Sequence, residues 1–349
     1  MLLSDFIEFN PSISVAKNTT LRKFSMDQLI PNTRLVSSDR FEHFSSGSKF
    51  QNGDTLFAKI TPCLENGKTS YIQTLREGEI AFGSTEFIVC RAKPGVSLPL
   101  FVYYLMISKR IRDRAIASMT GSSGRERVQQ VELDNIQIPN YSLDFQRHIV
   151  GTIGSVDDLI EKNAQVSNKT MEHANLLFTA QSQKVGTQKL HGLISFVKGK
   201  KPELYSMQDG LLYLTIDSLT GNTDTIYSSS GIRCSSDDVL MVMDGASSGK
   251  VFIGFNGYVG STLAKIVTDI PSSLVYLFLH NYQQNMMENT TGSAIPHADK
   301  GYIGELEIPM IKDQKVISEL SNDLKVIQNL RKSNLKLAKI KKTLLEKYF

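Results

Sequence analysis

Two stretches of the chain place apolar residues at helical spacing and contain no proline. After Pro139, the residues Ile149, Ile153, Val156, Leu159 and Val166 fall at steps of three, four or seven. After Pro309, the residues Leu320, Leu324, Ile327, Leu330 and Leu337 do the same, each 171 positions beyond its counterpart. An apolar stripe of this kind buries against a partner, so long helices are predicted over 144–182 and 313–349. The spacing breaks strict heptad order, which predicts a packed antiparallel coiled-coil-like pair rather than a long ideal supercoil. Asn163 and Asn334, also 171 apart, lie seven residues after Val156 and Ile327. Two readings stay open for them: a register-fixing polar pair on the seam, or two edge residues facing water.

The segments before each helix read differently. They are rich in Phe, Ile, Val, Thr and Gly and are cut by short turns. Residues 54–60, 79–82 and 87–90 predict short strands, and a helix follows at 98–119, with Phe101, Leu105 and Ile111 on its apolar face. The expected order is globule 1–143, helix 144–182, globule 183–312, helix 313–349.

The second half repeats the first. Thr120-Gly121-Ser122 followed by Ile138-Pro139 matches Thr291-Gly292-Ser293 followed by Ile308-Pro309. Upstream, Gly53-Asp54-Thr55-Leu56-Phe57 matches Asp237-Asp238-Val239-Leu240-Met241, Gly67-Lys68 matches Gly249-Lys250, and Phe82-Gly83-Ser84-Thr85 matches Val259-Gly260-Ser261-Thr262. The separations drift between 170 and 184, as loop insertions in a shared frame would make them. One short match means little, but several in the same order predict two related domains.

Composition adds limits. The 349 residues suit about two domains, and no run of 18 apolar residues exists to span a membrane. The start carries no basic and apolar leader pattern, which reads as no secretory signal. Three isolated cysteines, Cys63, Cys90 and Cys234, fit a reducing cytoplasm rather than a disulfide frame or a cysteine zinc site. The net charge is +4, but eight Lys and Arg against one acid lie from Lys325 onward. The remainder is slightly acidic, so net charge does not establish nucleic-acid binding; a basic tail is commonly a solvated helix face.

Catalytic signatures are missing. Gly245 to Lys250 has three residues between its glycines and Val251 after the lysine, so it fails the phosphate-loop pattern. The six histidines show no metal-ligand pairing, and no Gly-x-Ser-x-Gly elbow is present. An Asn/Asp-Pro-Pro-aromatic run, the methyltransferase motif, is absent as well.

In combination, several motifs closely resemble the target-recognition domains of type I restriction–modification specificity subunits. They are Gly53 to Pro62 with Glu65-Asn66-Gly67-Lys68, Gly83 to Phe87, and Thr120 to Val128 in the first half. In the second half they are Asp238 to Met241 with Asp244 to Lys250, and the opening motif Gly199-Lys200-Lys201-Pro202. The chain departs from that pattern in having very few residues before Phe6 to Pro11, and the N-terminus is expected to rest directly on the C-terminal helix.

The resemblance implies an α+β fold: two pseudo-symmetric mixed α/β target-recognition domains separated by two long antiparallel coiled-coil helices. It implies a cytoplasmic, non-catalytic subunit that binds double-stranded DNA at a split target. Methyltransferase (modification) subunits and a restriction endonuclease subunit would be its partners. The chain itself would hold no cofactor; S-adenosylmethionine, ATP and Mg would serve the partners. A helix of ~35 residues spans ~50 Å, about fifteen base steps at ~3.4 Å, and so would act as a ruler.

The expected DNA contacts are Lys59, Thr61, Asn66, Lys68, Thr85, Ser122, Arg125 and Arg127 in the first domain. In the second they are Ser247, Ser248, Lys250, Thr262, Ser293, His297 and Lys300. Glycine turns let the backbone approach, lysine supplies charge for phosphate, and arginine reaches phosphate or guanine. For any one of these residues, plain surface exposure is the competing reading. Ile149, Ile153, Val156, Asn163, Leu320, Leu324, Ile327 and Asn334 are expected on the partner and spacer helices. The other functional class in play is a two-lobed helical scaffold that assembles partners without reading DNA.

Overall fold

The computed structural model describes residues 1–201, 205–206, 210–221 and 226–349. It divides into two compact units. The first takes in Met1–Ile160 and Leu337–Phe349, the second Glu161–Lys336. Pro202 of the expected opening motif lies outside the described residues.

In the first unit, strands Ile7–Phe9, Phe87–Ala92, Thr55–Ala58 and Thr69–Tyr71 form an antiparallel sheet in that order. Thr55–Ala58 and the start of Phe87–Ala92 are buried at successive positions, as continuous apolar runs in a doubly covered sheet should be. A second sheet has the order Phe41–His43, Thr20–Phe24, Ala81–Gly83, Ser48–Phe50, with its central pair parallel. Gly83 is required there, because a Cβ would lie 2.6 Å from the Phe24 carbonyl oxygen.

The second unit repeats this plan. Strands Ile194–Lys198, Leu263–Thr268, Leu240–Val242 and Val251–Phe252 form the antiparallel sheet. In the other sheet, Leu211–Leu214 and Gly257–Val259 are the parallel pair. Gly260 is the matching tight position, its Cβ site 2.1 Å from the Leu214 carbonyl oxygen. The same hydrogen bond recurs as well: Ala58 N–H donates to the Lys68 carbonyl at 3.2 Å, and Val242 N–H to the Lys250 carbonyl at 2.8 Å.

The helix expected over 98–119 is two helices, Pro99–Ile107 and Lys109–Ala117. Ser108 breaks it, with an extended backbone and a hydroxyl that donates to the Leu105 carbonyl at 2.6 Å. The N-terminal segment does not take a helix as its partner in hydrogen bonding. Met1 and Leu3 bond to Ile138 and Ile136, just before the central helix, as Leu190 bonds to Leu306 in the second unit.

The central helix is Leu143–Ser182 and the terminal helix Gln314–Tyr348. In the first unit, Ile149 and Ile153 are fully buried in the core, and Leu344, Leu345 and Phe349 pack against the same cluster. In the second, Leu320 and Leu324 are buried together with Ala174 and Phe178. Val156 and Ile327 are half-buried. The pairing is antiparallel within each unit: Lys341 meets Asp157 and Tyr348 meets His148 in the first, Asn334 meets Asn163 and Asp323 meets His173 in the second.

The expected apolar stripe fails in its middle. Leu159 is 48% and Val166 40% exposed. A 3.6-residue turn drifts away from seven-residue spacing, and polar side chains hold the buried positions instead. Asn163, 9% exposed, donates to Asn334 Oδ1 at 2.8 Å, so the two asparagines bond to each other. Lys341 Nζ reaches Asp157 Oδ1 at 2.7 Å, and Tyr104 donates to Asp157 Oδ2 at 3.0 Å, all three being buried.

A buried charge left without its partner is expensive. Lys341→Met is therefore expected to destabilise the protein by about 3–5 kcal/mol, and Asp157→Leu with Lys341→Met to recover much of that loss. Urea unfolding of both variants is the check; a double variant as unstable as the single one would contradict it.

Candidate nucleic-acid interface

In the first unit a hairpin is strapped across the end of strand Thr55–Ala58. Thr120 and Arg127 exchange two backbone bonds of 3.1 and 2.9 Å, and Val128 N–H donates to the Lys59 carbonyl at 2.8 Å. Thr61 anchors the strap: Glu126 N–H donates to its hydroxyl at 3.1 Å. The strap leaves the hairpin tip, with Ser122 and Arg125, exposed to water. Beside it Arg127 forms a salt bridge to Glu86 at 2.7 Å, next to the exposed Thr85. The Glu86 hydrogen bond raises the Arg127 pKa, so its charge is fixed.

In the second unit the strap has the same bonds and different side chains. Ala298 N–H donates to the Met243 carbonyl at 2.9 Å, and strands Thr290–Thr291 and His297–Ala298 pair antiparallel. Ser293 is exposed at the tip. At the place of Arg127 stands His297, its Nδ1 2.8 Å from Asp244 Oδ1, while Lys198 Nζ lies 2.7 Å from Asp244 Oδ2. Burial works to raise the Asp244 carboxyl, but the hydrogen bonds and charges of Lys198 and His297 outweigh it and hold its pKa below the ordinary value.

Not every expected contact is free to act. Thr61 and Ser248 are buried. The Ser248 hydroxyl bonds to the carbonyls of Met243, Gly245 and Pro296, so both residues brace their loops instead of facing a ligand. Lys68 is tied to the Met26 carbonyl at 2.8 Å, and Thr262 lends its carbonyl to Met243 and Asp244. Lys250 and Lys300 lie over the rings of Phe252 and Phe196. Asn66 is exposed, and Ser247 and Lys59 are half-exposed.

The sequence reading missed the partners that set these charges. Glu86 and Asp244 sit inside motifs already singled out and were legible as carboxylates beside cations. Lys198 carries no local signal, since strand pairing alone brings its strand into the sheet whose strand Leu240–Val242 leads to Asp244.

No protein-family model matches the chain. Over 184 residues it is 30% identical to the type I restriction enzyme EcoAI specificity subunit of Escherichia coli, covering 51% of this chain and 31% of that protein. Over 168 residues it is 26% identical to the MjaVIII specificity subunit of Methanocaldococcus jannaschii, covering 45% of this chain and 40% of that one. The matches thus take in 40% or less of these relatives' length. The crystal structure of the type I restriction–modification S subunit from M. genitalium aligns over 100% of this chain and 95% of that one, with TM-score 0.61 and 15% identity. The fold is that of a type I specificity subunit. The two mixed units and long helices expected from the resemblance are therefore present.

Among the described residues no group of three or more His, Cys, Asp or Glu could hold a metal, and no helix is long and apolar enough to cross a membrane. Burial raises the Cys90 thiol well above its ordinary value and Cys234 to about 11, so neither is an available thiolate near neutral pH.

Because the Asp244 pKa is depressed on folding, its stabilisation is full above the unfolded value of about 3.9 and is lost as pH falls through the lower folded value. Asp244→Asn is expected to destabilise the protein near neutral pH by up to about 1 kcal/mol, the scale of an exposed ion pair. The variant and the unaltered protein should converge in strong acid. Denaturant midpoints across pH are the measurement, and a gap that persists at low pH would contradict the assignment.

Proposed function

We propose that the chain is the sequence-reading subunit of a type I restriction–modification complex. One observation supports this reading most. The two units carry hairpins strapped by the same backbone bonds, yet the side chains presented differ: Arg127 with Glu86 in one, His297 with Asp244 and Lys198 in the other. Common framework with divergent side chains is what two different base sequences require, since base edges differ and backbone chemistry does not. Each unit reads one half of a bipartite duplex target.

The chain supplies no catalysis. Methyl transfer with S-adenosylmethionine, and ATP- and Mg-dependent cleavage, belong to methyltransferase and restriction subunits acting in the cytoplasm. These dock on the long helices, where Leu159, Val166 and Leu176 are exposed. The central helix has 40 residues, ~60 Å, and sets the spacing of the half-sites.

Two outcomes are expected. Duplex binding by the chain, alone or with a methyltransferase partner, falls steeply with salt because phosphate contacts release counterions; salt-independent binding, or none, would point to a scaffold that does not read DNA. Deleting one or two helical turns within 144–181 changes the spacer and leaves the half-site letters unchanged. Mapping of methylated adenines reads both, and altered letters would contradict the ruler.

A further inference from the structure

A second repeated element lies away from the hairpins. Ser45-Ser46-Gly47-Ser48-Lys49 and Ser229-Ser230-Gly231-Ile232-Arg233 share the form Ser-Ser-Gly-x-cation. They are 184 positions apart, the same separation as Asp54 and Asp238. The backbone repeats too. Gly47 has φ +131° and Gly231 φ +145°, a region that favours glycine. Each turn leads into an edge strand, where Lys49 pairs with Phe82 and Arg233 with Tyr258. The leading serines of the two turns, Ser45, Ser46, Ser229 and Ser230, are exposed.

The charges are the telling part. In the first unit the cations on the same sheet as Lys49 are neutralised, Arg22 by Glu79 and Lys23 by Glu42, and in the second Lys265 of the neighbouring sheet is neutralised by Asp238. Among the described residues, Lys49 and Arg233 have no carboxylate within salt-bridge distance; Lys49 lies 5.5 Å from the Phe44 ring centroid, and Arg233 is exposed. In the first unit the Ser45-Ser46 turn also lines one cleft with Ser84 and Thr85, close to the hairpin region.

We infer that the Ser-Ser-Gly-x-cation turn of each unit grips a phosphate of the nucleic-acid backbone. This rests on the DNA-reading function proposed above. The two halves keep the same chemistry here and diverge at the hairpins. A contact to phosphate should stay the same whatever the sequence, because every nucleotide offers the same anion, whereas a contact to bases must change with the half-site. The exposed serine hydroxyls can donate to the same phosphate oxygens as the cation.

The test uses the full chain and a long duplex of mixed sequence. Lys49→Ala and Arg233→Ala, singly and together, are expected to lower the slope of log K against log salt by about 0.9 for each phosphate no longer neutralised. Affinity should fall alike on all sequences, and methylated half-site letters should not change. Lys49→Arg and Arg233→Lys keep the charge and should keep the slope, which separates removal of a phosphate grip from damage to the fold. An unaltered chain that binds while the alanine variants keep its slope overturns this inference alone. A change in half-site letters overturns it too, by making these residues base readers. An unaltered chain without salt-dependent binding would bring down the DNA reading and this inference with it.

Discussion

Neither unit closes its core without the long helices. The sheets bury one face among their own residues; on the other lie the helices Pro99–Ile107 in the first unit and Ser272–Asn281 in the second. Segments of both long helices complete the same cores: Ile149 and Ile153 with Leu344, Leu345 and Phe349 in the first unit, Leu320 and Leu324 with Ala174 and Phe178 in the second. Burying one such side chain is worth about 1.5–3 kcal/mol, and several are engaged in each core. The helices are therefore part of each globule rather than linkers between finished domains. That constraint holds loops that carry little packing of their own in a fixed pose on their unit.

The helix seam uses polar groups where packing alone would leave its register weakly specified. Leu, Ile and Val tolerate a shift of one turn, because one apolar side chain can replace another. Asp157 with Lys341 and Tyr104, and Asn163 with Asn334, cannot shift without leaving buried polar groups unpaired. The counterparts of Asp157 and Lys341, 171 positions away, are Gln328 and Thr170, so the buried ion pair marks one unit and not the other. The repeat is thus a shared frame with distinct fastenings.

What the chain disclosed before its structure follows from the range of each interaction. Tight backbone contacts forced glycine at Gly83 and Gly260, and turn geometry forced it at Gly67 and Gly249, so the duplication was visible as matched motifs. Helical periodicity located both long helices to within a residue or two. The break at Ser108 was hidden, because apolar spacing runs through it and only a side-chain bond to Leu105 decides it. The exposure of Leu159 and Val166 was hidden as well, since what displaces them are Asp157 and Asn163, polar residues whose partners are remote in sequence. Among the expected contact residues, exposure at Ser122, Arg125 and Ser293 was readable from loop chemistry. The burial of Thr61 and Ser248 was not, because hydroxyls that brace a loop look like hydroxyls that meet a ligand.

The central claim is that two equivalent units with different hairpins read two different blocks of one duplex. Mapping methylated adenines across the genome of cells that carry the unaltered chain and its methyltransferase partner tests it most directly. The account predicts a single motif made of two defined blocks with unlike letters, separated by a spacer of fixed length and free composition. A continuous motif, a spacer of variable length, or methylation independent of the chain would contradict it.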